Sequence, residues 1–195
     1  MPKDLIIMKI HKQQSNSAQI VAEQIKKGNV VIIPTDTIYG FSAIGKEGDA
    51  KIRQIKGREE TKPFIELIAC IEDFEKISKI ALPEKIKKLL PASLTIIVPK
   101  KEELGGGTVA LRCPKDEWLR NVIKLCGKPI FSTSVNRSGT KPLWQIEQII
   151  SEFENETSLI IDDGDKPDGK ASTLIDICDG NIKVLRQGEV FIENI

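Results

Sequence analysis

The chain has 195 residues, of which 40% are apolar and 29% charged, and its formal net charge at pH 7 is +1. This length and composition predict a single globular domain. A net charge near zero excludes a bulk attraction to nucleic acid or membrane, so any anion site must be local. No apolar run approaches the roughly 20 residues that span a bilayer, and the start shows no secretory signal, which predicts a cytoplasmic protein without a membrane partner.

The four cysteines, Cys70, Cys113, Cys126 and Cys178, are scattered along the chain and form no CxxC pair. A single histidine, His11, accompanies them. Metal sites and disulfide frameworks need closely spaced or paired ligands, so the pattern predicts core thiols and no zinc site.

The first elements along the chain are a helix at 15–27 and a strand at 30–33. Residues 30–33 are four consecutive β-branched residues, which predict a strand buried on both faces. Pro34 ends that strand, and a polar loop follows to Gly40. Residues 162–169 are charged and rich in Gly and Pro, which predicts an exposed, mobile connection. Further patterns predict helices at 49–56, 71–77, 83–90, 116–125 and 145–153, and strands at 64–69, 93–98, 108–112, 129–133, 158–162, 171–177 and 182–185.

This interleaving of helices and strands predicts one α/β domain over residues 1–195, with a twisted mixed sheet and covering helices. Several predicted strands end in hydroxyl, amide or guanidinium groups, which predicts a shared, deep, polar cavity with cationic walls. Such walls suit a nucleotide polyphosphate, because Arg and Lys offset its charge while hydroxyls and amides orient it. The groups are Thr35, Thr37, Thr95, Arg112, Ser134, Asn136, Ser172, Thr173 and Arg186, with Lys56, Arg58 and Lys62 nearby in the most cationic segment.

Familiar nucleotide and nucleophile motifs are missing. No GxxxxGK[ST] and no GxGxxG follows a strand, which argues against a P-loop and a Rossmann dinucleotide site. No GxSxG elbow or histidine partner accompanies Ser134, so an acyl-forming serine is not predicted.

The motifs together resemble those of the YrdC-type threonylcarbamoyl-AMP synthases, in the right order from about residue 16 to residue 190. The resemblance implies a twisted mixed α/β fold with a large, concave, positively charged cavity. The motifs are PTDTIYG at 34–40, KGR at 56–58 with KP at 62–63, LT at 94–95, RCP at 112–114, STSVNRSG at 132–139, ST at 172–173 and LRQG at 185–188.

The resemblance also implies a reaction in which L-threonine, bicarbonate and ATP give L-threonylcarbamoyladenylate and pyrophosphate. Mg²⁺ would accompany ATP, with no organic prosthetic group and no metal ligand expected from protein side chains. The product would pass to downstream tRNA-threonylcarbamoyl transferase enzymes. In this chemistry the carbamate oxygen attacks the α-phosphorus, and no covalent nucleophile is needed.

Ten residues receive roles from the resemblance. Those expected at the ATP phosphates are Lys56, Arg58 and Lys62, with Lys56 and Arg58 giving the catalytic electrostatic stabilisation. Those expected elsewhere on the nucleotide are Thr108, Asn136 and Arg186. Those expected around threonine and the carbamate are Thr37, Arg112, Ser134 and Ser172.

Two carboxylate-related expectations follow from chemistry. Arg112 can pair with the amino-acid carboxylate through two parallel hydrogen bonds. Asp36 is expected to brace its loop through backbone amides, because a carboxylate beside a polyphosphate is repelled unless a cation intervenes. Two departures from the family pattern, Ala92 for glycine and Val135 for alanine, are expected to reshape the cavity wall.

Three alternatives stay open at this level. The first is a related carbamoyl-adenylate or carbamoyltransferase activity. The second is an RNA-binding module that uses the cationic region, although the chain is nearly neutral and poor in aromatic residues for base stacking. The third is a protein that kept the fold and lost the activity, against which the presence of Lys56, Arg58, Ser134, Asn136 and Arg186 argues.

Overall fold

The computed structural model describes residues 8–58 and 63–192. Within those ranges ten strands form one sheet in the order β1-β8-β2-β3-β7-β4-β6-β5-β9-β10. The strands are β1 (Met8–His11), β2 (Val31–Ile33), β3 (Gly40–Ala43), β4 (Ile65–Leu67), β5 (Leu94–Pro99), β6 (Thr108–Arg112), β7 (Ile130–Ser134), β8 (Leu159–Asp162), β9 (Thr173–Asp176) and β10 (Lys183–Arg186).

The helices lie between these strands. The best capped is α5, where the Asp116 carboxylate accepts a hydrogen bond from the Leu119 amide at 3.1 Å and Gly127 ends the helix with a left-handed φ of 76°. The α-helices of the described ranges are α1 (Ser17–Lys26), α2 (Gly45–Lys56), α3 (Glu72–Ile77), α4 (Glu84–Lys87), α5 (Glu117–Cys126) and α6 (Ile146–Phe153), and a 3-10 turn covers Glu102–Leu104.

The sheet is mixed, as predicted. β8 pairs in parallel with β1 and β2, and the pairs β4–β6 and β5–β9 are also parallel. The other neighbouring pairs are antiparallel, including the hairpin-like pair β9–β10. β1 and β3 were not predicted. β3 reads GFSA, whose small residues and lack of alternation hide a strand that is buried along its whole length.

The two halves of the sheet are covered differently. In the β2–β8 half, Val31, Ile33 and Leu159 pack under α1 and α5, while Ile32 and Ile160 pack on the opposite side under α2 and α6. The prediction that the strand at 30–33 is buried on both faces is therefore confirmed.

The second half of the sheet, formed by β5, β6 and β9, has its apolar core on one face only. Leu94, Ile96 and Val98 of β5 pack there against α3 and α4. Side chains alternate along a strand, so Ile97 points to the opposite face. That face, left without a helix layer, is where the candidate site lies.

Residues 162–169 are mostly exposed, as predicted. They are also anchored, because Asp165 accepts a hydrogen bond from the Ile146 amide at 2.9 Å and the Tyr39 hydroxyl donates to the Gly164 carbonyl at 2.8 Å. One sequence prediction needs correction. The core interpretation of the cysteines holds for Cys113 and Cys126 but is wrong for Cys70, which is exposed. Within the described ranges, no helix is both long and apolar enough to cross a membrane.

Candidate active site

A cavity of about 410 Å³ opens on the uncovered face of the sheet. Its floor includes Ile97, Ala110 and Leu174, one from each of β5, β6 and β9. No Asp or Glu is among the described residues that line it. The cationic lining residues are Arg58, Arg112 and Arg186, and the hydroxyl-bearing ones are Thr35, Thr37, Tyr39, Ser132, Thr133, Ser134 and Ser172.

One wall of the cavity is the loop that follows β2. The Thr35 hydroxyl accepts hydrogen bonds from the Thr37 and Ile38 amides at 3.1 and 3.2 Å, which fixes a tight turn. Gly169 packs against this turn, where a Cβ would lie 2.6 Å from the Thr37 carbonyl oxygen. The turn is therefore held both by its own hydrogen bonds and by the packing of Gly169, and its residue Thr37 lines the cavity.

Arg112, at the end of β6, meets this wall. Its guanidinium donates to the Thr37 hydroxyl at 3.1 Å and to an oxygen of Asp36. The Arg112 and Asp36 side chains are only 5% and 2% exposed. Burial lowers the pKa of Arg112, and the charge of Asp36 opposes that shift. The Nε atom of Arg112 is buried and has no hydrogen-bond partner.

The loop before β9 continues this wall with Ser172. Its hydroxyl lies 2.7 Å from the Thr95 hydroxyl. Arg186 donates to the Ser172 carbonyl at 3.1 Å and to its hydroxyl at 3.3 Å. Arg186 also lowers the pKa of Arg112 through like-charge repulsion, which shows that the two guanidinium groups act on the same space.

The opposite wall depends on Lys56, the last residue of α2. Its ammonium donates to the Ser134 carbonyl at 2.5 Å, the Asn136 carbonyl at 2.9 Å and the Asn136 side-chain oxygen at 2.8 Å. Lys56 is 3% exposed, and burial, with a smaller effect of the Arg58 charge, lowers its pKa to about 8. All three ammonium protons are thus directed into the loop at 134–136.

Asn136 completes the network behind this wall. Its side-chain oxygen also accepts from the Ser134 hydroxyl at 2.6 Å, and its amide nitrogen donates to the Arg137 and Thr140 carbonyls at 2.8 and 2.7 Å. Both ends of the amide are therefore engaged within the loop. The result is a rigid loop that presents Ser134 to the cavity.

Arg58 lies just beyond the left-handed Gly57, whose φ is 62°. It donates to the Thr133 hydroxyl at 3.3 Å and to the Pro63 carbonyl at 3.2 Å, and its guanidinium carbon lies 4.9 Å from the centre of the Phe64 ring. Its Nε atom is buried and has no hydrogen-bond partner in the described part of the chain. Burial, followed by repulsion from Arg53, lowers its pKa.

The structure brings most of the predicted site residues together. The cavity is lined by Thr37, Arg58, Arg112, Ser134, Ser172 and Arg186. Lys56 and Asn136 do not line the cavity but lie behind its wall. Their polar side-chain atoms already form hydrogen bonds to the loop that follows β7. Direct contact of either residue with ATP, as the resemblance implied, is not what this geometry favours.

Thr108 and Lys62 stand apart from the others. Thr108 begins β6, on the same face as Ala110 and Arg112, but it is exposed and outside the cavity lining. Lys62 lies outside the described residues. The roles of both on the nucleotide stay predictions.

Sequence reasoning missed the main role of Asp36. Its carboxylate does accept a backbone amide, that of Lys115 at 3.1 Å, but it also pairs with Arg112. The sequence argument already pointed to such a pair, because it allowed a carboxylate beside a polyphosphate only where a cation intervened. Thr133, which contacts Arg58, was also missed because it was read simply as part of a strand.

The two departures from the family pattern do not touch the cavity. Val135 is fully buried and packs in the core cluster that contains Tyr39 and Phe41. Ala92 packs on the other core face, and its amide donates to the Cys113 carbonyl at 3.0 Å. The expectation that these residues reshape the cavity wall is therefore wrong, since neither lines it.

Comparison with known proteins shows the family of the chain. A family model described as "Telomere recombination", which represents the Sua5, YciO and YrdC proteins, matches residues 23–188. The threonylcarbamoyl-AMP synthase of Pyrococcus abyssi is 33% identical, over 91% of this chain and 55% of its own length. A putative threonylcarbamoyl-AMP synthase of Methanocaldococcus jannaschii is also 33% identical, over 97% of this chain and 96% of its own.

Solved structures give the same picture. The crystal structure of P. abyssi Sua5 complexed with L-threonine superposes with a TM-score of 0.83 at 31% identity, covering 94% of this chain and 57% of that one. Escherichia coli YciO superposes with a TM-score of 0.82 at 22% identity, which shows the shared fold alone. The chain spans only 55% of the length of the P. abyssi synthase. Within that span, the chain belongs to the Sua5/YciO/YrdC family.

Proposed function

We propose that the cavity forms L-threonylcarbamoyladenylate and pyrophosphate from L-threonine, bicarbonate and ATP, which makes the chain a nucleotidyltransferase. The observation that carries this proposal is a pair of buried donors. The Nε atoms of Arg58 and Arg112 have no hydrogen-bond partner among the described residues, and both residues line one cavity without a carboxylate among its described lining residues. Buried, unsatisfied donors of this kind are costly unless a ligand completes them. Two such donors on opposite walls suit two anionic ligands.

The amino-acid substrate fits the wall formed by Thr37, Arg112 and Ser172. Threonine offers one carboxylate, which Arg112 can bind, and one hydroxyl, which the two hydroxyl side chains can hydrogen-bond. A site that bonds the substrate hydroxyl discriminates against analogues that lack it, because its own polar groups would then stay buried without partners. The L-threonine complex of P. abyssi Sua5, a relative with the same fold, supports this choice of substrate.

The polyphosphate fits the opposite wall. Arg58 and Arg186 lie where they can offset charge on the phosphates, while the loop held by Lys56 and Asn136 presents the Ser134 hydroxyl. As the carbamate oxygen attacks the α-phosphorus, negative charge grows on the transferring group and on leaving pyrophosphate. Fixed guanidinium groups stabilise that charge without reorganising.

Mg²⁺ would enter as part of the ATP substrate. In the described part of the chain, no group of three His, Cys, Asp or Glu residues is arranged so that it could hold a metal ion. The donors in the cavity are hydroxyls and guanidiniums, and these suit the phosphate oxygens of a metal–nucleotide complex better than the metal itself. The adenylate product would pass, in the cytoplasm, to a downstream tRNA-threonylcarbamoyl transferase.

The test is release of pyrophosphate from ATP by the purified chain, with threonine or bicarbonate omitted in turn. We expect turnover to require both. Replacing Arg58 by Gln should lower kcat/KM for ATP by about 10–100-fold, the loss of a charge-assisted hydrogen bond. Lys124→Gln, which removes the same charge from the exposed side of α5, should leave it unchanged.

Three outcomes would contradict the proposal. Pyrophosphate release that continues without threonine would remove the amino-acid substrate. Turnover of carbamoyl phosphate in place of bicarbonate would favour the carbamoyltransferase alternative. Tight binding of a generic double-stranded RNA that weakens steeply with salt would favour the RNA-binding alternative, and we expect little binding.

A further inference from the structure

Asp36 is held by three residues from two other parts of the chain. One of its oxygens pairs with Arg112 from β6, and the other accepts the Lys115 amide at 3.1 Å and the Ser93 hydroxyl at 3.3 Å. The carboxylate is almost completely buried, with 2% of its side chain exposed. Both oxygens are thus occupied and fixed in direction. Asp36 is not among the residues that line the cavity, so it is poorly placed to touch a ligand there.

The effect of Asp36 on Arg112 is directional. With one terminal nitrogen of the guanidinium on Asp36 and the other on Thr37, the plane of the group is set by two bonds. The Nε atom is also buried and has no hydrogen-bond partner among the described residues, and Arg112 lines the cavity. Because the guanidinium group is rigid and planar, fixing both of its terminal nitrogens also fixes the direction in which Nε points.

The pair also changes what kind of anion Arg112 attracts. An uncompensated buried guanidinium would attract any anion, including the triphosphate of ATP. With Asp36 beside it, the pair is neutral overall, and a polyphosphate placed at Arg112 would be repelled by the carboxylate. A singly charged carboxylate with good hydrogen-bond geometry suffers less from that repulsion.

We propose that Asp36 is a positioning residue that aims Arg112 at the carboxylate of the amino-acid substrate and keeps the triphosphate away from that end of the cavity. The inference rests on the proposed function and adds a specificity-determining residue to it. Asp36 acts through Arg112 and takes no part in the chemical step.

The test is a double-mutant cycle on the full chain, with threonine and ATP dependence measured separately. Asp36→Asn keeps the shape of the side chain and removes its charge. We expect it to raise KM for threonine about 10–30-fold while KM for ATP changes less than about twofold, the scale of a lost charge-assisted hydrogen bond. Asp168→Asn is the matched control, because this exposed carboxylate lies near the same loop and makes no hydrogen bond to Arg112.

The second arm of the cycle uses Arg112→Gln alone and with Asp36→Asn, a neutral pair of amides that can still hydrogen-bond. If Asp36 acts only through Arg112, the double variant has the threonine KM of Arg112→Gln. A merely structural Asp36 would instead lower stability and impair both substrates alike. Additive effects on threonine, or equal losses for ATP and threonine, overturn the inference.

The wild-type protein tests the proposed function by itself. If it shows no threonine-dependent turnover, the function fails before any variant is compared. If wild type and Asp36→Asn use threonine equally well, the function stands and the inference on Asp36 is overturned.

Discussion

Each of the two walls of the cavity depends on one deeply buried cation, and the two cations are stabilised in different ways. Arg112, on the wall that carries Thr37, is 5% exposed and has a carboxylate partner, Asp36. Lys56, on the wall that carries Ser134, is 3% exposed and has only neutral partners, two carbonyl oxygens and one amide oxygen. In the described ranges, no Asp or Glu lies within ion-pair distance of Lys56 or Arg58.

This difference separates two kinds of anion recognition within one cavity. On the Arg112 wall, the Asp36 carboxylate offsets the charge of the guanidinium. This wall therefore suits a single carboxylate held by directed hydrogen bonds. Among the described residues, no carboxylate offsets the charges of Lys56 and Arg58 on the Lys56 wall, and this wall therefore suits a polyphosphate. The uncompensated charge has a cost, seen in the lowered pKa of Lys56, and that cost is lowered when an anionic ligand arrives.

The largest effect is expected from breaking the compensated pair. Arg112→Met leaves Asp36 buried without its counter-ion, and this should lower the free energy of unfolding by about 3–5 kcal/mol in urea titrations. Lys76→Met, which breaks an exposed pair with Asp73 on α3, should change it by less than about 1 kcal/mol. A loss for Arg112→Met as small as that of the control would show that the pair is solvated and not compensated in the way described.

The next largest effect is expected from a substitution that should weaken nucleotide binding much more than threonine binding. Lys56→Met removes the donor from three acceptors in the loop at 134–136, and the loop should relax. We expect the affinity for a non-hydrolysable ATP analogue, measured by calorimetry, to fall about 10–100-fold, since each buried acceptor left alone costs about 1–3 kcal/mol. Threonine affinity should change less than about threefold.

Lys51→Met is the control for this substitution, because Lys51 lies on the same helix but donates to the Gly28 carbonyl at the surface. Equal losses of nucleotide and threonine affinity in Lys56→Met would mean that the two walls are not independent.

The sequence predicted which residues belong to the site better than it predicted which of them contact one another. Thr37, Arg112 and Ser134 stand at or just after the ends of strands, a position that the predicted strands before them made visible. Asp36 and Arg112 are 76 residues apart, and Lys56 and Asn136 are 80 apart. Their contacts depend on the strand order β3-β7-β4-β6-β5, which no local pattern encodes.

The sequence predicted the fold class correctly, but it did not predict which parts of the sheet the helices cover. The mixed sheet followed from interleaved helices and strands and a β-rich end. What periodicity did not reveal is that α1 and α5 cover only one half of their face of the sheet, which leaves Ile97, Ala110 and Leu174 open to the cavity. That asymmetry depends on helix placement across many residues, and β3 was missed because glycine and small residues give no alternation.

A smaller effect concerns pH. Because burial lowers the pKa of Lys56 to about 8, the ammonium becomes an amine above that pH and keeps two donors for three acceptors. Affinity for the ATP analogue should fall above pH 8, by up to about tenfold per pH unit, while Lys56→Met shows a flat profile.

Stability should move in the opposite direction over the same range. The folded pKa lies below the ordinary value of 10.5, so the unfolded chain holds this proton more tightly between pH 8 and 10.5. The free energy of unfolding of wild type, relative to Lys56→Met, should therefore rise with pH across that window. A fall in both affinity and relative stability would assign the pH effect to another group.

The smallest effect on the site is expected at Val135, which tests whether the uncompensated wall is held by polar bonds or by packing. Val135 sits between Ser134 and Asn136, but its side chain packs with Tyr39 and Phe41 in the core. Val135→Ala should lower the free energy of unfolding by about 1–3 kcal/mol and leave KM for ATP and threonine within about twofold. If KM for ATP rises with the lost packing, the core behind the loop, and not Lys56 alone, sets the position of Ser134.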